Sequence, residues 1–148
     1  MKTWLEHNLA EYKKEHQNLG NEICHFFGIS LIVFSLLVLN KLFVPWFDLI
    51  MFFVFGIWFF VGGWRGLVAV AFFGFLFVFG LRYLETLPVK TWQVAVGIFI
   101  VGWIFQLVGH FVFEKNKPAF LKAPVSLLIA IFWLGEVVIF YPLWRKTK

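Results

Sequence analysis

The hydrophobic pattern of the chain changes character near residue 20. Before it, Leu5, Leu9, Tyr12, His16 and Leu19 recur at alternating steps of four and three, the spacing of one face of an amphipathic helix. Glu11, Lys13, Lys14 and Glu15 fall mostly on the other faces. Gly20 is expected to stop this helix and Asn21 to cap the next. Beyond that point the apolar runs become continuous, and a membrane helix needs about 20 such residues. The first run covers residues 23–44 and ends at an interfacial turn of Pro45, Trp46 and Asp48. The second and third cover about 49–63 and 66–83, with only Gly-Trp-Arg between them. They are short, which suits a tight hairpin. A fourth run covers 92–113, and Pro124 is a good first-turn residue for a fifth that ends near Trp144. The runs do not alternate, so a barrel is a poor reading. The pattern predicts an all-α, polytopic membrane helix bundle of about five transmembrane helices with an N-terminal amphipathic helix in the interface, residues 1–148 forming a single integral membrane domain.

Composition strengthens this picture. Of 148 residues, 61% are hydrophobic and only 14% charged, too few charges to cover a soluble domain. Phe occurs 22 times and Trp 8 times, which suits lipid-facing surfaces and interfacial belts. The polar first 22 residues lack the pattern of a removable signal peptide, so the first span is expected to act as an uncleaved anchor. One cysteine, Cys24, excludes an intrachain disulfide and a multi-cysteine metal site. The net charge of +5 favours anionic lipid. The basic residues are dispersed among the spans, so nucleic acid is not an expected partner. An oligomer is compatible with the sequence.

The parity of the spans joins distant residues. His16 and His25 lie at the entry of the first span, and His110 and Glu114 at the exit of the fourth. If each span crosses once, these groups share one membrane face. Basic residues slightly favour that face as cytoplasmic.

Gln106, His110 and Glu114 are spaced by four and share a helix face. A histidine and a carboxylate so placed can bind one metal ion, or the carboxylate can fix the imidazole tautomer. They can equally tie helix ends together by a hydrogen bond. Gly102 and Gly109 would let a neighbouring helix come close. His16 and His25 have bland readings of their own, as interfacial packing and as a packed ring bonded to a carbonyl. Convergence of three histidines with a glutamate changes the balance, because imidazole and carboxylate together suit iron or zinc. His16 and His25 are nine positions apart, on opposite sides of an unbroken helix, so a shared site needs a bend near Gly20. His7 aligns with Glu11 and Lys14 and is assigned to solvent. Glu136 falls within the fifth run, near mid-membrane by counting. There it is a further ligand, a base supporting the ligands, or a structural hydrogen-bond partner.

Two longer patterns carry a resemblance. HQNLGNEICHFFGI, residues 16–29, reads H-x4-N-x3-H-x2-G-I, and GWIFQLVGHFVFEKNKPAF, residues 102–120, reads G-W-x2-Q-x2-G-H-x3-E-K-x2-P-A. Their order and spacing, followed by a glutamate in the last span, are similar to those of the 2-hydroxy fatty acid dioxygenase family, small fungal and bacterial membrane proteins of fatty acid α-oxidation. The resemblance runs from about Tyr12 to Glu136. It implies an iron(II)-dependent oxygenase that shortens a 2-hydroxy acyl chain by one carbon with dioxygen. It implies a multi-pass protein of the bacterial inner membrane or the endoplasmic reticulum. His16, His25 and His110 are implied as metal ligands, with Glu114 as a fourth ligand or an orienting partner, and Glu114, Asn21 and Gln106 as the catalytic positions beside them. The ion the resemblance implies is Fe2+, with Zn2+ an alternative occupant as purified. Two positions depart from the usual family pattern: Ser30 stands in place of a proline, and Glu22 in place of a basic residue.

A 2-hydroxy acid offers a carboxylate and a hydroxyl to a metal ion. Lys115, Lys117 or Lys122 would attract its head, and its tail would lie among Phe-rich helices along with other membrane lipid. Two further readings stand beside this one: a non-catalytic lipid-binding or scaffolding bundle, and a proton-coupled transporter using Glu136 and His110.

Overall fold

The computed structural model describes residues 4–115 and 126–144 of the chain. They are helical nearly throughout, and no strand occurs among the described residues. Helix α1 spans Trp4–Glu15, α2 Leu19–Phe43, α3 Phe47–Gly62, α4 Trp64–Glu85, α5 Thr91–Val108 and α6 Ser126–Trp144. A π-helical segment, Gly109–Glu114, continues α5 without a break. Among the described residues, three segments are long and apolar enough to cross a membrane: Leu19–Phe43, Trp64–Glu85 and Thr91–Glu114. The molecule is therefore an all-α bundle with the helices of a membrane protein. At 16 residues, α3 is shorter than these and packs against α4. Gly63, with φ of +54°, makes the turn between them, a conformation that favours glycine.

The most extensive helix pairing is α2 with α5, and small residues permit it. A Cβ added at Gly28 would meet the carbonyl oxygen of Gly102 at 2.9 Å, and one at Gly102 would meet that of Gly28 at 3.0 Å. Backbone therefore packs on backbone at this crossing. Gly109 packs against Asn21, Cys24 and His25, at the level of the histidines.

The amphipathic helix is present, and its apolar stripe is covered by protein. Leu5, Leu9 and Tyr12 are buried in one cluster with Ile129, Trp133 and Val137 of α6. The break that follows α1 falls earlier than Gly20. Residues 16–18 are non-helical, and Asn18 caps α2 by accepting the N–H of Gly20 at 2.8 Å. Asn21 is not the cap; it lies inside the first turns, fully buried. Asn18 takes the role because its side chain reaches the N–H two residues on, the common asparagine cap geometry.

Helix α6 also departs from simple counting. Its Gly135 packs on Arg65 and Ala69, while Ile131 faces Phe73 further along α4. It thus runs antiparallel to α4 and brings Glu136 to the start of that helix. Glu136 is not stranded at mid-span: Lys13 of α1 lies 2.6 Å from its Oε2, and the Arg65 guanidinium binds its Oε1. A carboxylate in apolar surroundings needs such partners. Pro124, the expected first-turn residue of α6, lies outside the described residues.

Candidate metal centre

Three histidines from three parts of the chain meet where α1 ends, α2 begins and α5 gives way to the π segment. His16 follows α1, His25 lies two turns into α2, and His110 stands at the start of the π segment. All three are buried, at 0%, 2% and 3% exposure, where polar rings need partners. One nitrogen from each lies within 4.8 Å of the others. The rings are steeply inclined to one another, with interplanar angles of 67° to 84°, so their edges and not their faces converge.

The hydrogen bonds fix how two of these rings are protonated. Nδ1 of His16 lies 2.7 Å from the carbonyl oxygen of Tyr12, and Nδ1 of His25 lies 3.0 Å from that of Asn21. A carbonyl only accepts, so each Nδ1 carries hydrogen. In the neutral ring each Nε2 is then a lone pair. Yet the two Nε2 atoms face each other at 3.2 Å. His110 Nε2 approaches His25 Nε2 at 3.0 Å, and one hydrogen there would satisfy only that contact. The His16–His25 contact stays repulsive until a cation stands between them. An added proton or a metal ion would serve, and convergence of three nitrogens favours the metal. Nδ1 bonded to a carbonyl, with Nε2 turned to the centre, is the usual arrangement of metal-bound histidine. The donor set fits a first-row divalent ion.

The bend that makes this convergence possible is held by Glu114. Its Oε1 accepts the backbone N–H of Gln17 at 2.6 Å and of Asn18 at 2.7 Å. Inside a π segment the four-residue stripe no longer keeps one face. Gln106 and His110 turn inward, while Glu114 turns to residues 17–18. Its carboxylate does not join the three converging imidazole nitrogens. Gln106 is buried, with its amide Nε2 3.5 Å from the His25 carbonyl oxygen. The Asn21 amide lies beside the Glu114 carboxylate, yet neither of its polar atoms makes a hydrogen bond of ordinary geometry. Tyr12 stacks on the His16 ring, 4.0 Å between centroids, and holds it in place. Ser30 donates to the Phe26 carbonyl at 2.7 Å, staying within its own helix. His7 is exposed. Lys115 follows the π segment in a left-handed conformation, whereas Lys117 and Lys122 lie outside the described residues.

Sequence reasoning missed Lys13 and Arg65, the partners of Glu136. Arg65, a lone charge in the turn between two apolar runs, was the available signal. It also missed the part played by the Tyr12 carbonyl, which no side-chain pattern reveals.

Beside the histidines lies a cavity of about 270 Å³, lined almost wholly by apolar side chains of α2, α5 and α6. His16, His25, His110 and Gln106 supply its polar end. A helical bundle with membrane-length spans and three buried, converging histidines beside an apolar cavity is that of a membrane protein with a candidate metal centre.

Residues 3–141 match the family model described as "2-hydroxy-palmitic acid dioxygenase Mpo1-like", and the chain belongs to this Mpo1-like family. Among curated proteins it is 47% identical over 45 residues to the 2-hydroxy-palmitic acid dioxygenase MPO1 of Saccharomyces cerevisiae. That stretch covers 30% of this chain and 26% of the yeast protein. No solved structure matches.

Proposed function

We propose that this protein is an iron(II)-dependent dioxygenase of 2-hydroxy fatty acids, with His16, His25 and His110 as the metal ligands. The observation that carries this reading is the pair of carbonyl-anchored imidazoles whose Nε2 lone pairs meet at 3.2 Å, with a third imidazole beside them. Family membership supplies the substrate class. Iron(II) bound there would contribute redox chemistry toward dioxygen, as in other non-haem sites with a small protein ligand set and open positions.

The chain's own residues do the remaining work. The apolar cavity takes the acyl tail and keeps water from the reacting carbons. Gln106 offers an amide to the acid or hydroxyl group. Glu114 acts as the orienting partner, holding residues 17–18 so that His16 faces the centre, and Asn21 lies between that carboxylate and His25. The reaction balances without a reductant. A 2-hydroxy acid and one dioxygen give the acid one carbon shorter, carbon dioxide and water. The C1–C2 bond breaks, C2 rises from the alcohol to the carboxylic acid level, and dioxygen takes the four electrons. We further propose a single multi-pass domain in the bacterial inner membrane or the endoplasmic reticulum, with the metal site at the cytoplasmic face.

The test is the metal content of anaerobically purified protein, beside His16→Ala, His25→Ala and His110→Ala, followed by oxygen uptake with 2-hydroxy fatty acids. Near-stoichiometric iron in the parent, lost from all three variants, is expected. A folded protein that takes up no iron(II), or a variant that keeps it all, rejects the shared site and leaves a lipid-binding bundle.

A further inference from the structure

The cavity passes from closed to open along its length. At its polar end the histidines and Gln106 are buried, as is Ile29 next to them. Ile32, Val33, Phe99 and Trp103 in the middle are half-buried. At the far end Leu36 is 43% exposed and Leu128 50%. From His25 to Leu36 the axis of α2 rises about 16 Å. Leu36 is still about 10 Å short of the end of that helix at Phe43. The mouth therefore lies partway down a span, at a depth where a membrane would present hydrocarbon and not water.

A second cavity of about 140 Å³ lies between α2, α3, α4 and α6. Val33 and Ile131 line both cavities and stand between them. A tail entering at the histidines thus has two routes. It can continue to the exposed leucines, or bend past Val33 and Ile131 into the second cavity, whose lining side chains are all buried or half-buried. The first route is open already, whereas the second needs the partition to move.

We infer that the cavity is a lateral port, through which a 2-hydroxy fatty acid enters from the bilayer with its tail remaining in the hydrocarbon between Leu36 and Leu128. This rests on the proposed function for the identity of the acid. It adds that the substrate is membrane-dissolved, and that the protein reads the head and the first part of the tail while total chain length goes largely unselected. The second cavity does not take the tail.

The experiment uses full-length protein in phospholipid vesicles and a long-chain 2-hydroxy fatty acid with a diazirine far along its tail. After illumination, adducts are located by peptide mass spectrometry. Adducts on the peptides holding Leu36 and Leu128 are expected. Adducts on Met51, Trp58 or Phe73 would place the tail in the second cavity and overturn the port. A second arm narrows the mouth with Leu36→Trp and Leu128→Trp. The ratio of long-chain to short-chain turnover should fall about tenfold or more, with metal content retained. An unchanged ratio counts against the port. Parent protein that oxidises no 2-hydroxy acid, yet gives adducts at the mouth, would retire the dioxygenase reading and leave the port as a lipid site.

Discussion

The carboxylate of Glu114 accepts the backbone N–H of Asn18 at 2.7 Å, across 96 positions of sequence, and the N–H of Gln17 at 2.6 Å. Asn18 caps α2, and His16 lies just before it. Glu114 thereby fixes the turn that swings His16 off the helical path. Removing it leaves His16, His25 and His110 chemically intact but frees one of them to wander. Glu114→Ala is expected to weaken metal affinity about 10–100-fold, the usual effect of losing a group that orients a ligand. Glu114→Gln keeps a carbonyl oxygen as acceptor and should recover much of this. Competition with a chelator of known affinity measures both. Equal and complete loss of metal in the two variants would instead make Glu114 a ligand.

The lone-pair conflict at the histidines predicts how the protein answers to metal. A divalent ion at about a thousand times its Kd stabilises the folded state by about 4 kcal/mol. Thermal unfolding in detergent should move up by several degrees on adding iron(II) anaerobically, and fall back with chelator. His7→Ala, at an exposed position of α1, should keep the whole shift. His25→Ala should lose it. A shift that survives His25→Ala would mean that iron acts elsewhere on the protein.

How much of this was legible in the sequence depends on what each residue had to contrast with. In long apolar runs His25, Gln106, His110 and Glu136 stand out, so the polar constellation could be read directly. The periodicity of Leu5, Leu9 and Tyr12 likewise marked α1, although not its cover by α6. What spacing could not show is where regular geometry fails. The four-residue rule put Glu114 on the face of His110, but the π segment turns it toward Asn18. Gly20 looked like the breaker, yet the cap is made by Asn18, and a distant carboxylate steadies it. Lys13 fell off the apolar stripe of α1 with nothing nearby to mark it, because its partner Glu136 is more than a hundred positions away. Long-range pairing leaves no local period.

Glycines on α5 and on the π segment that continues it give a paired test of the helix contact that seats His25. Gly97 has nothing within 4 Å of where a Cβ would stand, so Gly97→Ala should be neutral or stabilise by about 0.5–1 kcal/mol. At Gly109 the same methyl would collide with Asn21 Oδ1 and stand 3.2 Å from His25 Nδ1. Overpacking of this kind costs about 1–3 kcal/mol. Here it also presses on the carbonyl-anchored side of the His25 ring. Gly109→Ala should lower both thermal stability and metal affinity, whereas Gly97→Ala leaves metal affinity alone. Parallel behaviour of the two variants would refute close packing of α5 on α2 at this level.

Glu136 offers the last and most direct check on how α1 is held. Its carboxylate is buried and joins Lys13 of α1 to Arg65 of α4. Breaking a buried pair by removing one partner commonly costs about 3–5 kcal/mol, because the remaining charge is left in an apolar place. Lys13 and Arg65 keep some access to solvent, so the lower end of that range applies to Glu136→Gln. His16 follows three residues after Lys13, and its N–H is bonded to the Lys13 carbonyl at 3.3 Å. Loosening α1 should therefore also reduce metal affinity, although Glu136 is not in the histidine group. Combining Lys13→Met, Arg65→Met and Glu136→Leu removes these three charges together. That triple variant should regain stability relative to Glu136→Gln, since apolar side chains of similar size suit the site. If Glu136 were instead a metal ligand or an essential base, the triple variant would regain stability without regaining metal or turnover. Measuring unfolding and metal binding on the same samples separates the two roles.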